Sequence, residues 1–511
     1  MEIDSIFKLL PTEIRQEIFK NFDKGTLFKC LLLDRQFCRE IVPILWEAPL
    51  LESSILKQRT ISADKQMNNI IGVYVRSFTN TTWMYLYTNG NGIRPQNTRQ
   101  PTFNYASFLR HYEPNSVYIA VGVWLLRNSM RNDHINCKLV ASSLCKLFLT
   151  ESNLLRSLHY DFENDKDFWD SIPQDCSAQV LLKNLKELKI HEFSFEKHQP
   201  MFFENLANAC HSIRGVTLEA NSISPLQTQD IRVNKHTVEG LKKALSAQSE
   251  LQWIRIYSFP SYAIKLICHA LNPSAEKLRA IQFSGINFEY YRAENIISGL
   301  SACINLLCLD FINCTSLEQQ YWYEAAQNFQ KLEYLSIQSS ASHEMPVNLI
   351  KEIIKSSGDS LHYLRIQCHE NNNFADVCYE ILPLILAYSY NLSAIDLINM
   401  GVENLTDLFN ACPNLEHLNV YSKNLLQAFR VLSRKLVPNI KSLEIHVASY
   451  QDLVPYYQEL PIGEEALFDF LEVICQNVKR LYLPTIMIDN EYQRNLADMF
   501  GIKVTCGSMN D

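Results

Sequence analysis

Among the 511 residues, the groups that could do chemistry stand at spacings that do not support it. His343 and Glu344 open like a zinc-binding helix, which needs a second histidine one turn on, but Met345 and Pro346 follow and the proline breaks the helix. Cys303, Cys308 and Cys314 lie close along the chain without a histidine to complete a metal set. The adjacent pairs Cys210-His211 and Cys368-His369 point apart in regular structure. Gly90-Asn91-Gly92 begins like a dinucleotide-binding turn, yet Pro95 occupies the place of the third glycine. No Gly-x-Ser-x-Gly elbow, His-Glu-x-x-His helix or Gly-Lys-Ser/Thr phosphate loop occurs. No catalytic residue, metal or cofactor is expected, which leaves surfaces for binding.

Those surfaces need elements to carry them, and the elements repeat. From residue 155 onward one phrase recurs: apolar, two variable, apolar, one variable, apolar. Clear copies are Leu185 to Ile190, Leu278 to Phe283, Leu306 to Phe311, Leu332 to Ile337, Leu361 to Ile366, Leu392 to Leu397, Leu415 to Val420, Ile440 to Ile445 and Val478 to Leu483. Weaker copies start at Leu155, Ile213 and Leu251. The last two apolar places are two apart, the period of a strand, so both enter one core while the residue between them faces out. Between phrases lie helical patterns such as Pro346 to Ser357, with Val347, Ile350 and Ile354 on one face, and Glu464 to Asn477, with Leu467, Phe470, Leu471 and Ile474. About twelve βα units, with starts 23 to 38 residues apart, predict an α/β solenoid of the leucine-rich-repeat kind. The competing reading is an ordinary doubly wound α/β domain, whose parallel strands are also apolar.

If the strands line the concave wall of such an array, the third, fifth and seventh places of each phrase are its readable surface. They supply Trp253, Arg255 and Tyr257, then Tyr334, then Tyr363 with Arg365 and Gln367. Further units supply Asp396, His417 with Tyr421, Glu444 with His446, and Arg480 with Tyr482. Aromatic and arginine residues are enriched at interface hot spots, and the mixed charge suits a protein segment.

Composition sets the class. With 47% hydrophobic and 20% charged residues the chain has ample core and is not disordered. Its 14 glycines are less than half the usual share of about 7%, which disfavours nucleotide cradles. The balance of 47 Lys plus Arg against 55 Asp plus Glu, net -8, has no basic block, so no nucleic acid is expected. The 15 cysteines, odd in number and without a Cys-x-x-Cys, fit reduced thiols and a cytoplasmic or nuclear setting. Lys8, Glu13 and Arg15 interrupt what would be the core of a signal peptide, and the longest apolar run, Val117 to Leu126, is about half a bilayer span. No membrane partner is expected.

Three segments result: 1-50, 51-150 and 151-511. In the middle one, Lys57 to Asn69 is polar, Thr88 to Pro101 reads as a loop, Tyr105 to Leu109 is a buried element, and Val117 to Leu126 is a strand or a helix. The first segment reads as three short helices. Ile14, Ile18, Phe19 and Phe22 share a face of the first, which follows Pro11. Asp23-Lys24-Gly25 makes a turn, Leu27, Phe28, Cys30, Leu31 and Leu32 lie on the second helix, and Phe37, Ile41, Val42 and Leu45 lie on the third. So little chain builds little core, and leftover apolar faces call for a partner or the adjoining array.

The order Leu10-Pro11-x-Glu13-Ile14, Ile18-Phe19, Phe22, Leu27, Cys30-x-Leu32, Arg35-x-Phe37 and Leu45-Trp46 resembles the F-box motif, with Leu32 where valine is usual and Phe37 where tryptophan is more frequent. The repeats resemble those of F-box substrate receptors, although the slot for a capping Cys or Asn is filled so only by Cys314 and Asn221. Elsewhere it holds Phe193, Phe259, Ile286, Met400 or Ile486. The resemblance implies a three-helix F-box motif docking a Skp-type adaptor and, through it, a cullin scaffold. Leu10, Pro11, Ile14, Phe19, Leu27, Cys30, Phe37, Leu45 and Trp46 would form or support that interface, and the repeats would hold a protein substrate of unknown identity. The alternatives are a leucine-rich scaffold outside any ligase and, without a motif behind it, a hydrolase or transferase on an α/β fold.

Overall fold

A computed structural model describes residues 7, 9–50, 60–94, 99–152, 154–161, 182–193, 200–220, 235–288, 299–317, 320–339, 345–368, 374–397, 402–422, 440–447, 480–484 and 503–507. They form two compact units, Met1–Leu251 and Gln252–Asp511.

The first unit begins with α1 (Thr12–Lys20), α2 (Lys24–Cys30) and α3 (Arg35–Leu45). The carboxylates of Asp23 and Asp34 cap α2 and α3, accepting from the Thr26 and Gln36 amides at 3.0 and 2.7 Å and satisfying N–H groups that have no partner within the helix. Next come α4 (Ile61–Val75), α5 (Asn80–Asn89), α6 (Pro114–Arg127) and α7 (His134–Glu151), with α6 packed between α4 and α7. The apolar run at Val117 is therefore helical, and the loop expected from Thr88 starts only after Asn89. The polar stretch Lys57 to Asn69 enters α4. Its buried Ala63, Met67, Ile70, Ile71 and Tyr74 keep the helical period, but polar neighbours mask it in the sequence. Four strands, β1 (His111–Tyr112), β2 (Ser157–Asp161), β3 (Glu187–Phe193) and β4 (Gly215–Ala220), pair in parallel in that order. Helices α8 (Pro200–Ala209) and α9 (Lys235–Ser246) pack on each other.

The second unit contains β5 (Trp253–Tyr257), β6 (Ala280–Ser284), β7 (Cys308–Ile312), β8 (Tyr334–Ser339), β9 (Tyr363–Cys368), β10 (Ala394–Leu397), β11 (His417–Ser422), β12 (Ser442–Val447), β13 (Arg480–Pro484) and β14 (Lys503–Gly507). Each pairs in parallel with the next in sequence. A doubly wound sheet reverses its strand order at a switch point, and neither unit does, so the α/β architecture is solenoid-like. Helices α10 (Ser261–Ala270), α11 (Gln320–Ala326), α12 (Val347–Ser357), α13 (Phe374–Tyr388) and α14 (Val402–Ala411) connect strands, and α11 to α14 pack side by side in order. The expected helix at Glu464 to Asn477 lies outside the described residues.

All twelve phrases fall on strands, β2 to β13. Strands β1 and β14 are additional: register places Pro114 at the last apolar position of the phrase for β1 and Gly501 at the first for β14, so neither reads as a copy in the sequence. The apolar places form the core. Leu278, Phe283, Leu306, Phe311, Leu332, Leu335, Leu361, Leu364 and Ile366 are completely buried. Phe283 stacks on Phe311 at 5.7 Å, and Trp322 from α11 meets Phe311 edge-on at 5.2 Å. After β6 the chain turns through Gly285 at φ +63, where an added Cβ would lie 3.3 Å from Ser258 Oγ.

Leu309 and Leu335 occupy the same phrase place on paired strands, in register. Leu309→Ala would leave a void in a close-packed layer and is expected to cost the second unit about 2–5 kcal/mol, read as a lower urea midpoint for that unit's transition.

Candidate functional site

Helices α1 to α3 enclose a small core of Phe19, Leu27, Phe37, Ile41 and Leu45. Phe7, Phe19 and Phe37 meet edge-to-face, with centroids 5.5 to 5.6 Å apart. Beside this core lies a buried ion pair. Arg15 Nε donates to Glu40 Oε2 at 2.9 Å and Nη2 to Oε1 at 2.5 Å, locking α1 to α3. The same guanidinium donates to the Leu10 carbonyl and, at 3.1 Å, to Thr12 Oγ1, so it also fixes the turn that presents Leu10 and Pro11. Twenty-five residues separate Arg15 from Glu40, and no periodicity announces such a pair.

Of the nine residues expected at an adaptor interface, Phe19, Leu27, Phe37 and Leu45 are buried and build the core. Cys30 is half-buried against them. Trp46 packs on Tyr105 at 4.2 Å and on Tyr74 at 5.2 Å, tying α3 to α4 within the first unit. Pro11 is exposed, Leu10 half-buried and Ile14 49% exposed. The face expected to join Ile14, Ile18, Phe19 and Phe22 is thus split, since Phe19 points inward while Ile14 and Phe22 are open to solvent. Other exposed apolar side chains are Leu9, Phe28, Leu32 and Leu33, with Leu32 89% exposed. Leu31 and Leu32, expected on the second helix, lie in the turn that follows it, since α2 ends at Cys30.

The second candidate surface is the strand face of the second unit. Register puts Trp253, Ala280, Cys308, Tyr334, Tyr363, Ala394 and His417 in one row. Arg255, Gln282, Asp310, Ser336, Arg365, Asp396 and Asn419 form the next. Tyr334 and Tyr363 stack at 4.4 Å and 9°, and burial pushes the Tyr363 hydroxyl up to about 12. The Arg255 guanidinium lies 5.3 Å from the Trp253 ring centre, a cation–π contact on an exposed arginine. Tyr257 donates to Gln282 Oε1 at 3.1 Å, and Gln282 donates to Asp310 Oδ2 at 2.8 Å. Burial pushes the pKa of Asp310 above the usual aspartate range. Asp396 does not present itself as a contact residue. It is 3% exposed, accepts from Gln367 at 2.8 Å and holds Arg365 Nε at 3.0 Å, so it positions Arg365. Tyr421, Glu444 and Tyr482 take register positions on β11, β12 and β13, and their side chains lie outside the described residues.

Cys303 and Cys314 are buried and Cys308 half-buried, all as free thiols, and desolvation pushes them up to about 12, about 12 and about 11. At those values the thiolate needed for nucleophilic attack is scarce at neutral pH. Among the described residues no group of three or more His, Cys, Asp or Glu could hold a metal ion, and no helix is long and apolar enough to cross a membrane. No family model matches the chain, and no curated protein matches it. A solved structure, the complex of Rad7 and Elc1 in yeast, is similar at a TM-score of 0.38 and 14% identity, over 78% of this chain and 95% of that one. At that score the likeness decides neither fold nor partner.

The Arg15 hydrogen bonds hold the Glu40 carboxyl below its ordinary range against the opposing effect of burial. A depressed carboxylate stabilises the fold above its unfolded value, about 4.3, and that contribution disappears as pH falls through the lower folded value. Thermal midpoints of wild type and Glu40→Gln should therefore differ most above about pH 5 and converge toward pH 3. A pH-independent difference would remove ionisation from the role of this pair.

Proposed function

We propose that this chain is the substrate-recognition subunit of a cullin-type ubiquitin ligase, with α1 to α3 docking a Skp-type adaptor and the strand face of the repeats holding a protein substrate. The observation that carries the reading is the division within α1 to α3. Four residues of the F-box-like pattern close a core, while Leu9, Pro11, Ile14, Phe28, Leu32 and Leu33 stay exposed on a segment too small to leave so much apolar surface open without purpose. An apolar face of this kind fits burial against another protein's helices. On this reading the chain performs no bond chemistry. It raises the effective concentration of substrate lysines beside the ubiquitin carried by the rest of the assembly. The stacked Tyr334–Tyr363 pair and the Trp253–Arg255 pair supply rigid aromatic anchors, the residue types that dominate interface energetics.

The test is co-purification of the full chain with a Skp-type adaptor and a cullin. Wild type should assemble. Leu10→Ala with Pro11→Ala, and separately Phe28→Asp with Leu32→Asp, should lose adaptor by tenfold or more at unchanged thermal midpoint, since Pro11, Phe28 and Leu32 are exposed. A wild-type chain that does not assemble, or variants that assemble unimpaired, would sink the reading.

A further inference from the structure

In the first unit, a recess of about 210 Å3 opens where the first turn of α6 meets the face of β2 to β4, and the adaptor reading makes no use of it. Glu113 just ahead of α6, His159 on β2, His191 on β3 and Glu219 on β4 line it, with Pro114, Asn115 and Tyr160. Their sequence spacing gives no hint of the cluster, which forms across three neighbouring strands and the start of α6.

The charged acceptors of the lining are two carboxylates on opposite walls, Glu113 and Glu219. Glu113 is held below the usual carboxylate range, first by His159, and Ser116 Oγ donates to its Oε2 at 2.6 Å. His191 Nδ1 lies 2.7 Å from Glu219 Oε2. A carboxylate can only accept, so Nδ1 is the donor of this pair. His159 is 7% exposed, and its Nδ1 faces Glu113 Oε1 at 3.5 Å, outside hydrogen-bonding geometry. Among the described residues that buried nitrogen has no hydrogen-bond partner, which marks an incomplete polar site. Lys189, registered beside His159 and Thr217, is the neighbouring cation on the strand face, set against two carboxylates.

The occupant must therefore donate hydrogen bonds, carry positive charge and reach more than one wall. The four side chains do not converge on a point that could bind a metal ion. A lysine ammonium is a compact charge that meets one carboxylate at a time. A guanidinium is planar, has five N–H donors and no acceptor, and suits two carboxylates on opposite sides. The volume, about seven times the roughly 30 Å3 share of one liquid water, takes that group with part of its methylene stem. We propose that the recess is a binding site for an arginine side chain presented by an exposed segment of a partner protein. The proposal is independent of whether α1 to α3 dock an adaptor.

The test uses the full-length chain and three small probes: capped arginine, capped lysine and capped citrulline, which keeps the arginine shape without its charge. Binding is followed by ligand-observed NMR and calorimetry. Capped arginine should bind saturably in the millimolar range, lysine at least fivefold more weakly, and citrulline not at all. Glu113→Gln and Glu219→Gln should each weaken arginine at least fivefold. Glu187→Gln, which removes an exposed carboxylate of β3 outside the recess, should not. Glu219 is half exposed, so its variant reports on the site at little risk to the fold. The proposal is overturned by absence of saturable arginine binding, by citrulline matching arginine, or by an equal loss in Glu187→Gln, which would reduce the effect to diffuse surface charge.

Discussion

One backbone interaction recurs along both units among the described residues: a carbonyl accepts two consecutive amides from the next turn, at the start of the following strand. In the first unit Glu47 O receives the Arg110 and His111 N–H at 2.9 and 3.2 Å, Arg110 O receives Arg156 and Ser157, Arg156 O receives Lys186 and Glu187, and Lys186 O receives Arg214 and Gly215. In the second, Gln252, Arg279, Leu307, Glu333, His362, Ser393 and Glu416 accept in the same way. A carbonyl has two lone pairs, so one acceptor can serve both donors and start the parallel ladder at a defined residue. Register follows from it, because a slip of one residue would turn the apolar places of the phrase to solvent. The series begins at Glu47, immediately after Leu45-Trp46. The helical segment is therefore joined to the strands of its unit by the same bond that joins each strand to the next.

Fixed register has a consequence for the strand face. Side chains at equal phrase positions become lateral neighbours about 4.8 Å apart, whatever their distance in sequence. Polar residues there must satisfy one another sideways. Gln282 reaches Asp310, Gln367 reaches Asp396, and Asp396 steadies Arg365. Where the lateral neighbour is aromatic the rings stack, as at Tyr334 and Tyr363. Rotamer freedom is reduced on this face before any partner arrives, which lowers the ordering cost of binding. The recess of the first unit has a different origin: His159 and His191 lie diagonally on β2 and β3, and the register between β3 and β4 shifts beside His191.

Strand positions were legible because a six-residue phrase carries its own period, and each of its copies proved to be a strand. The turns were not. The expected capping slot two residues beyond the strand is mostly apolar, and a capping column lies instead three residues before the phrase. There Ser152 donates to Leu109 O at 2.6 Å, Cys210 to Leu185 O at 3.7 Å, Gln248 to Cys210 O at 2.7 Å and Cys412 to Ser389 O at 3.4 Å. Serine, cysteine and glutamine share the donor role without sharing a residue type, so a pattern search for one residue type misses the column. Helices α4 and α7 were hidden for another reason. Polar residues interrupt their apolar pattern, in α7 even at the fully buried Asn136, and periodicity fades when the apolar face is broken.

For α1 to α3 the limit was one of principle. An F-box-like pattern mixes residues that make the helices fold with residues that a partner could touch, and both are apolar. Sequence cannot separate them, because a leucine reads alike whether it faces Phe37 or water. Packing separates them by volume: three helices enclose room for Phe19, Leu27, Ile41 and their neighbours and no more, and the remaining apolar side chains are excluded by geometry. The Arg15–Glu40 pair sharpens the partition. Removing a charge from water is costly, so a buried pair contributes little net stability and is better understood as fixing one arrangement over its competitors. Here the arrangement fixed is the Leu10 carbonyl, and with it the direction in which Leu9, Leu10 and Pro11 leave the core. The polar residues of this segment thereby govern where its apolar surface lies.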